Sequence, residues 1–139
     1  MPKPKGVGMR KAIDTNVLVR LLARDDSDHF NRAAALLNKH LIFIGNTVLL
    51  ETEWVLRSSF KYDAKLIGRL FEGLLKIPTV EFEDLVVSNR AVSGFIGGMD
   101  FADALHLFSA KDCDQLYSFD KDFARRAQSY PQAIEVIAP

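Results

Sequence analysis

Short apolar runs alternate along the chain with longer segments in which apolar residues recur at every third or fourth position. The short runs predict strands at 11–14, 41–44, 79–82, 115–119 and 133–137. The longer segments predict helices at 16–23, 25–39, 47–60, 63–76, 84–96, 100–111 and 121–129. Strands that alternate with helices predict an α/β fold with a mainly parallel sheet, and sites in such folds form beyond the carboxyl ends of the strands.

Local signals predict where several helices begin and end. Thr15 or Asn16 is expected to cap the first helix, and Asp63 the helix that starts there. Asp100 follows Gly-Gly-Met and is well placed as another cap, while the glycine pair 97–98 ends the preceding helix.

The length and the N-terminus define the predicted domain organisation. A chain of 139 residues is one domain by length. Residues 1–8 are rich in Pro, Gly and Lys and predict a flexible tail, which leaves a single domain at 9–139. No apolar stretch approaches the ~20 residues that span a bilayer, and the basic N-terminus lacks the apolar segment of a secretory signal. We therefore expect a soluble, cytoplasmic protein without a membrane partner.

Four acidic residues stand at or beside apolar runs that are far apart in the chain, namely Asp14, Glu51, Asp103 and Asp120. A buried element that ends in a carboxylate delivers negative charge to one edge of a core. Carboxylates that are brought together repel each other unless a cation joins them. The pattern therefore predicts a metal-dependent enzyme. The donors are all oxygens, which suit Mg²⁺ or Mn²⁺ better than zinc or copper.

Each of these acidic positions has a competing structural explanation. Asp14 lies at a strand-to-helix turn, where Asp is often only a helix cap. Of Asp120 and Asp122, one is expected to cap the following helix and the other to face the site, and Asp120 is nearer to the strand end. Asp103 is harder to explain as a cap, because it lies three residues inside its helix.

Glu51 and Glu53 compete for one place on the helix 47–60. The two positions point about 200° apart on a helix, so only one of them faces the site. Trp54 shares the side of Glu51, which predicts a half-buried Glu51 and an exposed Glu53. We therefore assign Glu51 to the site.

Cysteine, histidine and glycine motifs narrow the chemistry further. The single Cys113 cannot form an internal disulfide, and the three histidines lack ligand spacing. Neither a phosphate-binding glycine loop nor the Gly-x-Ser-x-Gly motif of serine hydrolases occurs. These absences leave the carboxylates as the main candidates for catalysis.

Four segments together resemble the PIN-domain ribonucleases, and among them the VapC-like toxins of bacterial and archaeal toxin–antitoxin pairs. The segments are 13–22 (IDTNVLVRLL), 48–56 (VLLETEWVL), 100–105 (DFADAL) and 118–123 (SFDKDF). Each is weak alone, but their shared order and helical spacers make the resemblance fairly specific. It covers nearly the whole chain from Met9 onward.

The resemblance implies a three-layer α/β/α sandwich with a central parallel sheet and Mg²⁺- or Mn²⁺-dependent cleavage of RNA. For the toxin branch it also implies an antitoxin partner and a homodimer. By position it gives the catalytic places to Asp14, Glu51, Asp103 and Asp120, and the metal to Asp14, Asp103 and Asp120. The last place varies in the family, so Asp122 competes for it. The expected supporting residues around the metal are Thr15, Asn16, Asp100, Ser118 and Asp122.

A net charge of zero, from 18 basic and 18 acidic residues, gives no support for a polyanionic partner by itself. RNA would need a local basic patch, and the basic residues nearest the predicted site in sequence are Arg57, Lys61, Lys121, Arg125 and Arg126. A solvated surface of mixed charge explains these residues about as well.

Other functions fit the acidic pattern less closely. An aspartyl phosphatase usually has a second Asp two residues after the first, and Asn16 stands there. A non-catalytic Mg²⁺-binding domain would use the acids as caps and as a metal site. A PIN nuclease of RNA processing, without a toxin role, is a further alternative.

Overall fold

The structure is a computed structural model that describes residues 9–139, so the predicted tail at 1–8 lies outside the described residues. The chain divides into two compact units. The first ends at Leu85 and the second runs from Val86 to Pro139.

The first unit contains a parallel three-stranded sheet in the order β1-β2-β3. Its elements are β1 (Arg10–Ala12), α1 (Thr15–Ala23), α2 (Ser27–Lys39), β2 (Leu41–Ile44), α3 (Asn46–Ser58), α4 (Ala64–Leu75) and β3 (Val80–Phe82). Arg10 pairs with Leu41, and Ile42 pairs with Val80. Parallel neighbours need a long crossover connection, and here two helices provide each one.

The position of β2 in this sheet explains its uninterrupted apolar sequence. The strand lies between β1 and β3, and Leu41, Ile42 and Ile44 are buried. A central parallel strand is covered on both faces, so it has no alternating polar side chains. The helices bury one apolar stripe each, which includes Leu56 of α3 and Phe71 of α4.

The second unit contains a parallel pair of strands, β4 and β5, in which Leu116 pairs with Val136. Its elements are α5 (Leu85–Ile96), of which the first residue belongs to the first unit, α6 (Phe101–Ser109), β4 (Gln115–Tyr117), α7 (Lys121–Ala127) and β5 (Glu135–Ile137). Aromatic side chains fill its core. The rings of Phe95 and Phe101 meet edge to face, with centroids 5.4 Å apart.

A glycine pair ends α5, as the sequence predicts. Gly98 has φ 108, a conformation that favours glycine. A Cβ at Gly97 would lie 2.5 Å from the hydroxyl of Tyr130. That hydroxyl donates a hydrogen bond to the Gly94 carbonyl at 3.1 Å, so Tyr130 lies against the end of α5 and leaves no room for a side chain at position 97.

The predicted α/β fold with parallel strands is confirmed, and all twelve predicted elements occur among residues 9–139. The main differences are at strand ends. β4 stops at Tyr117 instead of 119, because the Ser118 hydroxyl accepts from the Asp120 amide and turns the chain. Between residues 9 and 139, no helix combines the length and the apolar character needed to cross a membrane.

Candidate active site

Asp14 lies at the turn between β1 and α1, and it is itself the cap of α1. Its backbone is extended, and its Oδ1 accepts from the Val17 amide at 3.1 Å. The prediction that Thr15 or Asn16 caps this helix is therefore wrong. A cap must hold an extended backbone while its side chain reaches the third helical amide, and Asp14 meets both conditions. Thr15 is instead the first helical residue.

Asp14 and Glu51 line the same concavity of the first unit. Its volume is about 580 Å³, and Thr15 and Asn16 lie on its wall beside Asp14. The remaining lining residues are Val19, Arg20, Val55, Ser59 and Phe60. The first unit thus brings together four of the residues that the sequence assigned to the site.

The predicted burial of Glu51 and Glu53 is the reverse of what the structure shows. Glu53 is 3% exposed and accepts from Arg57 Nε at 2.8 Å, whereas Glu51 is exposed. The two do lie on opposite sides of α3, but Trp54, which served as the marker of the buried side, is 58% exposed. The buried stripe contains Leu49 with Glu53, because a charge can be buried when a cation pairs with it.

The start of α3, and so the direction of Glu51, depends on a side chain from a distant part of the sequence. Gly45 precedes the helix and provides no side-chain cap. Glu83 Oε1 accepts from the Asn46 amide at 3.0 Å instead. Glu83 follows β3, and its own amide donates to the Ile44 carbonyl at 3.1 Å. Glu83 was not among the residues predicted from the sequence, and the available signal was its position directly after the predicted strand at 79–82.

Asp14 also borders a second concavity, of about 450 Å³, lined by residues of α1 and α2. Its polar lining includes Asn16, Arg20, His29 and Arg32. Neither His29 nor Arg32 was among the site residues predicted from the sequence. Their signal was their position on the helix that follows α1.

Asp26, Asp28 and His29 form the one group of three acidic or histidine side chains between residues 9 and 139 whose ligand atoms lie within 4.8 Å of one another. Asp26 caps α2 by accepting from the His29 amide at 3.0 Å. That bond is the main reason why the pKa of Asp26 is below its ordinary value. Asp28 pairs with Arg32 at 3.5 Å. Capping and surface pairing therefore explain this group.

Asp103 and Asp120 line one concavity of the second unit, of about 460 Å³, together with His106, Tyr117 and Ser118. Asp103 lies in the first turn of α6 and is partly buried. Its own amide donates to Asp100 Oδ2 at 3.2 Å, so Asp100 is the predicted cap of α6.

The pKa of Asp103 is raised above its ordinary value. Burial is the largest cause, followed by the negative charges of Asp100 and Asp120, while His106 acts in the opposite direction. A raised pKa means that the ionised carboxylate is destabilised where it stands. A bound cation would remove that cost.

Asp120 both caps α7 and faces the concavity, so the two duties are not divided between Asp120 and Asp122 as the sequence predicted. Asp120 Oδ1 accepts from the Phe123 amide at 3.0 Å. Asp122 lies within the first turn and pairs with Arg125 at 3.1 Å, with its side chain 81% exposed. The physical reason is that a carboxylate has two oxygens, and a cap bond engages one of them.

The predicted RNA-binding residues differ in how they are engaged. Arg57 pairs with the buried Glu53, and Arg126 donates to the Gly98 carbonyl at 3.1 Å. Lys61 is exposed and has φ 59. Lys121 and Arg125 are exposed at the surface of α7.

A family model described as the PIN domain matches residues 11–128. The chain belongs to the PIN-domain family. Membership indicates a nuclease-type function, because PIN domains are typically metal-dependent nucleases that act on RNA. No curated protein and no solved structure matches the chain significantly.

The carboxylates of this PIN domain suit the divalent ions that the family generally uses. Asp14 and Glu51 in the first unit, and Asp103 and Asp120 in the second, offer only oxygen donors. Hard oxygen donors are the ligands of Mg²⁺ and Mn²⁺. The raised pKa of Asp103 also indicates that a bound cation would stabilise the ionised form of this carboxylate.

Proposed function

We propose that this PIN-domain protein is a Mg²⁺- or Mn²⁺-dependent endoribonuclease that hydrolyses phosphodiester bonds as the toxin of a toxin–antitoxin pair. The observation that carries the proposal is the environment of Asp103. Its carboxylate is partly buried, shares a concavity with Asp120 and has a raised pKa. Such crowding of like charges suits a site that binds a cation, and it would destabilise a site without one.

The proposed catalytic residues are Asp14, Glu51, Asp103 and Asp120. Asp14, Asp103 and Asp120 hold the metal, and Glu51 orients the metal or its water. When bound, the metal supplies Lewis acidity, since it makes water a stronger nucleophile and offsets charge on the phosphate.

Supporting residues keep these carboxylates in place. Asp100 accepts a hydrogen bond from the Asp103 amide, and the Ser118 hydroxyl accepts one from the Asp120 amide. These two bonds fix the backbone at both carboxylates of the second unit. Thr15 and Asn16, beside Asp14, and Asp122, beside Asp120, complete the proposed supporting set.

RNA phosphates are proposed to be held by local basic residues, because the chain has no net charge. The proposed residues are Arg57, Lys61, Lys121, Arg125 and Arg126. A cytoplasmic homodimer and a protein antitoxin complete the proposal. They are supported by the resemblance of segments 13–22, 48–56, 100–105 and 118–123 to VapC-like toxins.

The test compares Asp103→Asn with Asp112→Asn, a matched change of an exposed carboxylate in the same unit. With an unstructured RNA and Mg²⁺, Asp103→Asn should lose at least about 100-fold in cleavage rate, since a metal contributes several kcal/mol to the transition state. Asp112→Asn should retain most of the rate, and chelation should abolish cleavage by the unaltered protein. Induced in bacteria, the unaltered chain should arrest growth and Asp103→Asn should not. Full cleavage by Asp103→Asn would contradict the proposal.

A further inference from the structure

We propose that the cleft around Arg90 is a binding site for a phosphate group, separate from the carboxylates of the candidate active site. The cleft lies in the second unit and has a volume of about 180 Å³. The residues that line it differ from those around Asp103 and Asp120. Binding in this cleft is therefore predicted whether or not the protein cleaves RNA.

Arg90 is the residue that points to a ligand. It is half-buried on α5 and has no hydrogen-bond or ion-pair partner between residues 9 and 139. The other arginines of this range, apart from the exposed Arg69, each contact a carboxylate, a carbonyl oxygen or an aromatic ring. Charged side chains are rarely removed from water without a partner, so the position of Arg90 favours an anion from outside the chain.

The cleft offers hydrogen-bond donors around this positive charge. Asn89, Ser93 and Gln132 line it together with Arg90, and they contribute amide and hydroxyl groups. No carboxylate is among the lining residues in the part of the chain that the structure describes. An oxyanion with several acceptor oxygens can accept from a guanidinium and from neutral donors at the same time. The chemistry of the lining therefore suits an anion and not a cation.

Two aromatic rings form the remaining wall of the cleft. Phe108 and Tyr130 meet edge to face, with centroids 6.2 Å apart. The Tyr130 hydroxyl is engaged by the Gly94 carbonyl at 3.1 Å, so its ring contributes mainly apolar surface. These two contacts hold the wall in place before a ligand binds, which lowers the entropy cost of binding.

The size of the cleft limits the ligand to a small group. Sites for drug-sized molecules measure about 300–1,000 Å³, so a cleft of about 180 Å³ suits one chemical group and not a whole coenzyme. A guanidinium binds phosphate and carboxylate in the same bidentate manner. Phosphate is the better fit for this chain, because PIN nucleases act on RNA and phosphate is the repeated anion of RNA. Two sources supply such a group, namely the backbone of a bound RNA and a free nucleotide.

The first experiment titrates inorganic phosphate into the full chain in a chelating buffer and follows the side-chain amide signals of Asn89 and Gln132 by NMR. Sodium chloride at equal ionic strength is the control for salt effects, and both signals should shift and saturate with phosphate alone. Arg90→Gln should bind phosphate at least about tenfold more weakly, because it loses a charge-assisted hydrogen bond. Arg69→Gln is the matched control, since Arg69 is exposed and also has no partner between residues 9 and 139.

A second variant keeps the test valid if Arg90→Gln folds poorly. Gln132 lies in a turn outside the helices and strands, so Gln132→Ala leaves the helices intact. It should weaken phosphate binding roughly threefold, as the loss of one neutral hydrogen bond does, with Asn89 as the reporter. Equal phosphate affinity in the unaltered chain and in both variants would refute the site. Acetate that binds as tightly as phosphate would assign the cleft to carboxylates and contradict the proposal.

RNA binding then identifies the source of the phosphate group. If the backbone of a bound RNA fills the cleft, Arg90→Gln should weaken RNA binding and reduce the slope of log K against log salt by about 1. If a free nucleotide fills it, RNA binding should stay unchanged and adenosine monophosphate should bind at least about tenfold more tightly than inorganic phosphate, through the added contacts of its sugar and base. If neither result is obtained, the cleft binds only a stray anion and the proposal is refuted.

The outcomes also separate this site from the proposed nuclease. A chain that binds phosphate through Arg90 but cleaves no RNA would refute the nuclease alone. A chain that cleaves RNA but binds no phosphate in chelator would refute the Arg90 site alone.

Discussion

Asp14, Asp100 and Asp120 each begin a helix and also lie beside the candidate site. Each accepts a backbone amide with one carboxylate oxygen, from Val17, Asp103 and Phe123 respectively. The alternatives of cap or site residue, which look exclusive in the sequence, are therefore compatible. Asp103 is different, because it lies inside its helix and its pKa is raised by burial and by neighbouring charge.

At this scale we predict that Asp103→Asn stabilises the metal-free protein at neutral pH. When the folded-state pKa of a carboxyl group lies above its unfolded-state pKa, the free energy of unfolding falls as the pH rises from the lower to the higher value. The loss of stability then persists at higher pH. The variant removes the deficit, so its Tm in chelator should exceed that of the unaltered chain at pH 7. The two should converge below about pH 3.9, the unperturbed pKa of Asp. Asp122→Asn is the control, and an equal gain there would refute this cause.

At the scale of the elements, the sequence predicted most of the fold because its signals are local. The apolar run of β2, the cap Asp63 and the glycine pair after α5 all act within a few residues of the element they define. The burial of Glu51 and Glu53 on α3 was predicted wrongly, because Trp54 was expected to mark the buried side of the helix but is exposed. Glu53 can be buried because Arg57 neutralises its charge. The cap of α3 is Glu83, 37 residues away, and no local pattern reveals it.

The cap of α3 gives a prediction about that helix. Glu83→Ala should lower the free energy of unfolding by about 1 kcal/mol, as the loss of an N-terminal cap does, and Tm by about 3 to 5 °C. Cleavage should also weaken, because α3 carries Glu51. Glu72→Ala, an exposed acidic position on α4, is the matched control and should leave Tm nearly unchanged. Equal Tm values for the two variants would show that the hydrogen bond of Glu83 contributes nothing to stability.

At the scale of the molecule, an equal number of acidic and basic residues leaves no general attraction for RNA. Each compact unit gathers two of the four acidic residues, Asp14 with Glu51 and Asp103 with Asp120. The sequence indicated these residues as a set because each follows an apolar run. It could not indicate their surroundings, such as the exposed ring of Tyr117 in the concavity of Asp120, because exposure depends on the folded chain.

The salt dependence of RNA binding should distinguish two neighbouring arginines. Arg125 pairs with Asp122 at the surface, and such a pair is worth ~0–1 kcal/mol, so its guanidinium can exchange to a phosphate. Arg125→Ala should reduce the slope of log K against log salt by about 1 without changing Tm. Arg126→Ala should lower Tm as well, because it removes the bond to the Gly98 carbonyl. An unchanged slope in Arg125→Ala would remove this residue from the RNA-binding set.

The capping role of Asp14 and Asp120 constrains how this lineage can lose its activity. Replacement by Ala would remove the charge and also cost about 1 kcal/mol of helix stability, whereas Asn or Ser would remove the charge and still accept the amide. Drift towards a folded but inactive descendant is therefore easiest through Asn, Ser or Thr at positions 14 and 120. At position 103, which caps nothing, Ala should be tolerated equally well. Inactive relatives should show this difference in residue usage between the capping and the non-capping positions.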